Sequence, residues 1–114
     1  LKLLRRESNA VVFADPANPE YTVRFKSTNA RKSIDGVGMT NYVTEIIIND
    51  SHVVTIGTKT VKDPIAIRVR TSGAADSMSR LGAVLASVAG QLATWSSENV
   101  LVGFEPDTPP LVVE

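Results

Sequence analysis

Between residues 77 and 95 the large apolar side chains fall at Met78, Leu81, Leu85, Val88, Leu92 and Trp95. Steps alternating between three and four draw a single stripe down an α-helix. The residues between them are small, among them Gly82, Ala83, Ala86, Ala89, Gly90 and Ala93. A glycine inside a helix costs about 1 kcal/mol relative to alanine, so two of them imply a use for the missing side chains. Gly82, Ala86 and Ala93, with Ala89 or Gly90 between, make a second face that another backbone could approach closely. Two readings stay open. The helix lies on its own sheet with a loosely filled back, or the second face receives the helix of another copy. The chain has no second helix of comparable length, and the second reading assigns Gly82, Leu85, Ala86, Ala89 and Ala93 to a dimer interface.

Upstream the period changes from helical to strand-like. Residues 21–28 alternate, with Tyr21, Val23 and Phe25 on one side and Thr22, Arg24, Lys26 and Thr28 on the other. That is a strand with one buried and one wet face. Residues 65–71 alternate as clearly, placing Ile65, Ile67 and Val69 inward and Ala66, Arg68 and Arg70 outward. The run AVVFA at 10–14 predicts a short strand closed by the turn-prone DPANPE, and Asp35-Gly36 supplies a tight turn. Residues 41–49 (NYVTEIIIN) and 52–58 (HVVTIGT) predict two more strands, separated by a turn at Asn49-Asp50-Ser51. The polar stretch from Lys59 to Pro64 predicts a loop. Residues 1–7 alternate poorly and read as a frayed arm or an edge strand, and the apolar run at 111–113 as a last edge strand. Strands from about 10 to 71 followed by a helix at 77–95 predict a single α+β domain over 1–114, an antiparallel sheet with a C-terminal α-helix packed on one face.

Composition narrows the class. The absence of cysteine excludes a disulfide scaffold, a thiolate metal site and a cysteine nucleophile. No apolar run approaches the roughly 18 residues of a membrane span, so no membrane partner is expected. LKLLRRE at the start is too short and too charged for a signal peptide. The chain opens on Leu1, so an initiator methionine is expected to have been removed or left out. Net charge is zero, yet residues 1–70 carry 11 of the 12 basic side chains against 7 acidic ones. An anionic partner is therefore expected on the first two-thirds of the chain.

Catalytic chemistry finds little support. His52 is the only histidine and sits beside a turn, Asp35 and Asp63 serve turn geometry, and Gly36-Val37-Gly38 lacks the context of a phosphate loop. No serine occupies a nucleophile elbow. Glu45 is the odd charge on its strand, read as a buried ion pair or an exposed edge position. No enzyme, metal or cofactor is expected. What remains is the outward face of the two alternating strands, where Arg24, Lys26, Arg68 and Arg70 point one way if both strands bury their apolar partners. Tyr42 and Thr44 share a parity on the intervening strand, although Val43 and Ile47 are equally eligible for burial there. Cations, hydroxyls and an aromatic together suit single-stranded or looped RNA, which offers phosphates and unstacked bases.

Three passages carry a resemblance: VVFADP near the start, AIRVRTSGAADSMSRLGAV entering the helix, and WSSENVLVGFEPDTPPLVV at the end. In these and in the order of its parts the chain resembles the coat proteins of small single-stranded RNA bacteriophages, the levivirus type. It looks most like the subgroup with a reduced first hairpin and a C-terminal edge strand.

The resemblance implies an interlocked homodimer in which each helix packs over the partner's sheet. It further implies icosahedral assembly of dimers around viral RNA, in a virion made in a bacterial host's cytoplasm. The open sheet face would bind an RNA stem-loop through Arg24, Lys26, Arg68 and Arg70, with Tyr42 and Thr44 as base contacts. The loop from Thr58, carrying Lys59, Lys62 and Pro64, would join dimers around the symmetry axes. The middle strand departs from the pattern at Glu45 and Ile46. The alternative from another class is a non-assembling α+β module that binds single-stranded nucleic acid or a small ligand.

Overall fold

A computed structural model describes residues 1–109. The chain divides into two units, one formed by residues 1–74 and the other beginning at Ala75. The first is a five-stranded antiparallel meander in which every strand pairs with its sequence neighbours: β1 (Lys2–Arg6), β2 (Ala10–Asp15), β3 (Asn18–Ile34), β4 (Val37–Ile56) and β5 (Lys59–Ala74). The N-terminal residues thus form an edge strand.

Turn chemistry fixes the register. Asp15 Oδ1 accepts a hydrogen bond from the Ala17 amide at 2.9 Å, an aspartate-stabilised turn leading from β2 into β3. Asp35 and Gly36, at φ 52° and 78°, connect Ile34 to Val37; two successive positive φ values are what a two-residue hairpin with matching twist requires.

The next turn corrects the expected layout. Asn49, Asp50 and Ser51 do not turn; β4 runs through them to Ile56, and the chain reverses at Gly57-Thr58, where Gly57 has φ 64°. The expected loop is therefore strand. Lys59, Lys62 and Pro64 lie in β5, paired with Ile56, Val53 and Ser51. Ladder pairing on both sides of Asp50 outweighs a local turn preference, and Pro64 is tolerated because β5 is an edge strand that needs fewer donors. Since β3 pairs with β4 only as far as Asn49, residues 52–63 extend as a two-stranded ribbon.

A side-chain clasp ties that ribbon to β3. Glu20 accepts hydrogen bonds from Lys62 Nζ at 2.8 Å and from the Ser51 hydroxyl. These contacts, Lys62 first, hold the Glu20 carboxyl below its ordinary pKa. A depressed folded-state pKa means the contribution is complete above the unfolded-state pKa and lost as pH falls through the folded value. Amide protection in residues 52–63, taken relative to the intrinsic exchange rate at each pH, is therefore expected to fall in that acid window in the native chain. The Glu20→Gln variant should show no such step.

The second unit begins with one 3-10 turn at Ala75–Ser77 and continues as helix α1 (Met78–Ser97). Ser77 occupies the cap position without a side-chain cap bond. The helix ends where Asn99 takes a left-handed conformation, φ 63°, one of the few residue types that does so readily. Beyond it, Trp95 Nε1 donates to the Thr108 carbonyl at 2.7 Å, and the Glu98 carboxylate accepts from the Thr108 amide at 3.0 Å. The aromatic and acidic positions of the WSSEN passage thus fasten the following segment to the helix end. The strand expected at 111–113 lies outside the described residues.

Candidate nucleic-acid interface

In an antiparallel sheet, residues directly opposite one another share a face. One face carries the row Val12, Arg24, Ile47, Arg68 and beside it the row Ala10, Lys26, Glu45, Arg70. All four cations expected together are on this face. Val12 is only 3% exposed, seated in the register between Arg5 and Arg24, whose aliphatic stems can cover an apolar neighbour. Arg24 is held by Glu7, at 3.0 Å, and Glu7 also meets Arg5 at 3.4 Å. Lys26 and Arg70 form no ion pair among the described residues, and Arg68 comes no closer than 4.0 Å to Glu45.

Tyr42 and Thr44 are not on this face. Tyr42 pairs with Asn29 and Gly73, and Thr44 with Ser27 and Thr71, all on the opposite side of the sheet from the cations. The side chains that β4 contributes beside the cations are Val43, Glu45 and Ile47. Three consecutive isoleucines, Ile46 to Ile48, put apolar groups on both faces, so burial alone could not choose the parity. The charges choose it: Glu45 stands opposite Lys26 on one strand and Arg70 on the other, and opposite charges directly across strands stabilise a register.

Glu45 is therefore interior to the sheet and not at an edge. Its side chain is half-buried, 29% exposed. It borders a cleft of about 180 Å³ lined by Lys26, Thr28, Val43, Glu45 and Arg70. The sequence leaves Glu45 between a buried ion pair and an edge position; its place between two cations could have been found from cross-strand charge pairing. Asn41 and Ser72, linked by a 3.0 Å hydrogen bond, add polar groups to the same face. His52 lies opposite Asp63 in the ribbon, and among the described residues no three metal-ligating side chains gather.

The other face is apolar over its two central rows, with Arg6 at the edge of one and the polar Ser27, Thr44, Thr71 row beyond. Across it run Leu3, Phe13, Val23, Ile48 and Ile67, with Val11, Phe25, Ile46 and Val69 in the adjoining row. Phe13 and Phe25 meet edge to face with ring centroids 5.9 Å apart. Several side chains on this face remain exposed, Ile67 by 60% and its neighbour two residues before, Ile65, by 48%. On α1 the stripe is similarly open, with Met78, Leu85, Val88 and Leu92 all exposed. A Cβ added at Gly82 or Gly90 would meet nothing within 4 Å.

An open antiparallel sheet with a cationic and an apolar face, followed by one long helix, is an α+β architecture, and it matches the levivirus coat-protein fold. No protein-family model matches the chain, and no curated protein does. Solved structures do. A chain from the virus-like particle of bacteriophage PQ-465 has a TM-score of 0.84 at 21% identity, covering 99% of this chain and 94% of that one. One from the virus-like particle of Beihai levi-like virus 32 has a TM-score of 0.68 at 19% identity, over 98% and 94%. A third, from the virus-like particle of bacteriophage ESE001, has 0.63 at 13% identity, over 100% and 97%. The antiparallel sheet and C-terminal helix expected from the sequence are present in the chain.

Proposed function

We propose that the chain is the coat protein of a small RNA bacteriophage, a structural protein of the virion. It dimerises through α1 and the apolar sheet face, assembles as dimers into a closed icosahedral shell, and holds viral RNA on the cationic face. The observation that carries this reading is the likeness, over nearly the whole chain, to a subunit of the bacteriophage PQ-465 particle. Two features of the chain support it. Large apolar side chains are exposed on both the sheet and the helix, and covering each exposed half is worth on the order of 1–2 kcal/mol at about 25 cal/mol per Å². A second copy supplies such cover by symmetry. The cations are gathered on the opposite side of the sheet, so RNA and partner do not compete for one surface.

Expression of the full chain alone, followed by sedimentation with and without nuclease, tests the reading. Fast-sedimenting protein that protects RNA from nuclease is expected. Small discrete species with nuclease-sensitive RNA would support the non-assembling nucleic-acid-binding module instead.

The ribbon at 52–63 takes over the role first given to a loop. It projects beyond β3 and carries exposed Val53, Ile56 and Val61 at and near its tip, which suits contacts between dimers. Removing residues 54–61 and closing β4 onto β5 with Asn-Gly should spare folding and dimerisation, because few buried contacts depend on the tip. Shell yield should fall or the shell size change. Particles of unchanged size and yield would remove the ribbon from assembly.

A further inference from the structure

We propose that the cleft around Glu45 reads a base, selecting an unpaired guanine in RNA bound to the cationic face; this deepens the RNA reading above and rests on it. A carboxylate is out of place on a surface that only neutralises phosphates, since it repels each one that approaches. Glu45 nonetheless stands in the row of Lys26 and Arg70. The charge of Glu45 helps set the register of β4, but its hydrogen-bonding capacity is not used within the fold. Among the described residues its carboxylate receives no hydrogen bond, and its one ion-pair neighbour, Arg68 Nη1, is 4.0 Å away, beyond hydrogen-bonding distance. Lys26 and Arg70 face it across the strands without closing on it. The result is a half-buried acceptor with both oxygens available, at the wall of a cleft of about 180 Å³, room for one planar heterocycle.

An ionised carboxylate only accepts, and its two oxygens take a pair of parallel donors. Among the four RNA bases only guanine presents two adjacent donors, N1–H and the N2 amino group, on its Watson–Crick edge. Adenine would place the N1 lone pair against the carboxylate, cytosine its N3 lone pair, and uracil a single donor between two carbonyls. Guanine O6 and N7 are acceptors suited to Arg or Lys, and Lys26 and Arg70 stand on either side of Glu45. Edges of this kind are available in single-stranded loops, where bases are unstacked. One carboxylate between two cations is thus complementary to guanine and mismatched to the other three bases.

The test uses the purified full chain and a hairpin RNA whose uridine loop carries one guanosine, inosine or adenosine. Inosine keeps N1–H and lacks the N2 amino group. The native chain is expected to bind the guanosine loop about tenfold or more tightly than the adenosine loop, with inosine between. Glu45→Gln should bind the adenosine loop more tightly, having lost a repulsive charge, and the guanosine loop no more tightly, so that most of the spread between the three disappears. Equal affinities of the native chain for the three loops would overturn the proposal without recourse to any variant. If Arg68→Ala and Arg70→Ala flatten the salt dependence in that case, the RNA face stands and only base reading fails. If neither alters it, the RNA face fails and base reading with it.

Discussion

Replacing Gly82 with leucine is expected to destabilise the protein and prevent particle formation, although no described residue crowds a Cβ at that position. A Cβ at Gly82 meets open space, and leucine is a better helix former than glycine by about 0.8 kcal/mol. A helix without a partner on that face would therefore gain stability. A dimer whose helices approach closely along Gly82, Ala86, Ala89 and Ala93 would be wedged apart, and overpacking commonly costs about 1–3 kcal/mol. The two accounts differ in sign. Thermal unfolding at several chain concentrations separates them: the native midpoint should rise with concentration, and Gly82→Leu and Ala86→Leu should lower it. A raised, concentration-independent midpoint in Gly82→Leu would exclude the helix face from the interface.

Arg68→Ala and Arg70→Ala are expected to weaken binding to every RNA sequence and reduce its salt dependence. Each phosphate contact removed should flatten the slope of log affinity against log salt by about 0.7–0.9. Both side chains are exposed, so stability should change little. Tyr42→Ala serves as the internal control. A lost stacking partner would cost about 1–3 kcal/mol of binding, but Tyr42 lies on the face away from the cations and its replacement should leave RNA affinity unchanged. Unaltered slopes in both arginine variants would move the RNA elsewhere, for instance to Lys2, Arg5 and Arg6.

Much of this geometry was legible in the chain because burial imposes a period. Met78 to Trp95 keep the helical spacing, and α1 spans them. Val23 against Arg24, and Val69 against Arg70, keep the strand alternation, and their registers bring four cations to one face. Legibility failed where local chemistry and pairing disagree. Asn49-Asp50-Ser51 has turn residues, yet Asn49 pairs with Thr22 and Ala66, and Ser51 with Pro64, so the strand continues. The true reversal rests on one glycine at positive φ, Gly57, set in a stretch without a strong apolar alternation on either side. Tyr42 and Thr44 were misplaced for a different reason. A strand apolar on both faces gives no parity signal, and only the charges at Lys26, Glu45 and Arg70 resolve it. The apolar side chains left exposed on sheet and helix were not legible, because a period marks which side of an element is apolar and not what covers it.

Electron microscopy of the purified full chain tests the coat-protein account most directly. The account predicts closed, uniform, isometric shells in the native protein and their loss in Gly82→Leu. A native protein that stays in discrete small oligomers, under conditions where it is folded and supplied with RNA, would contradict it.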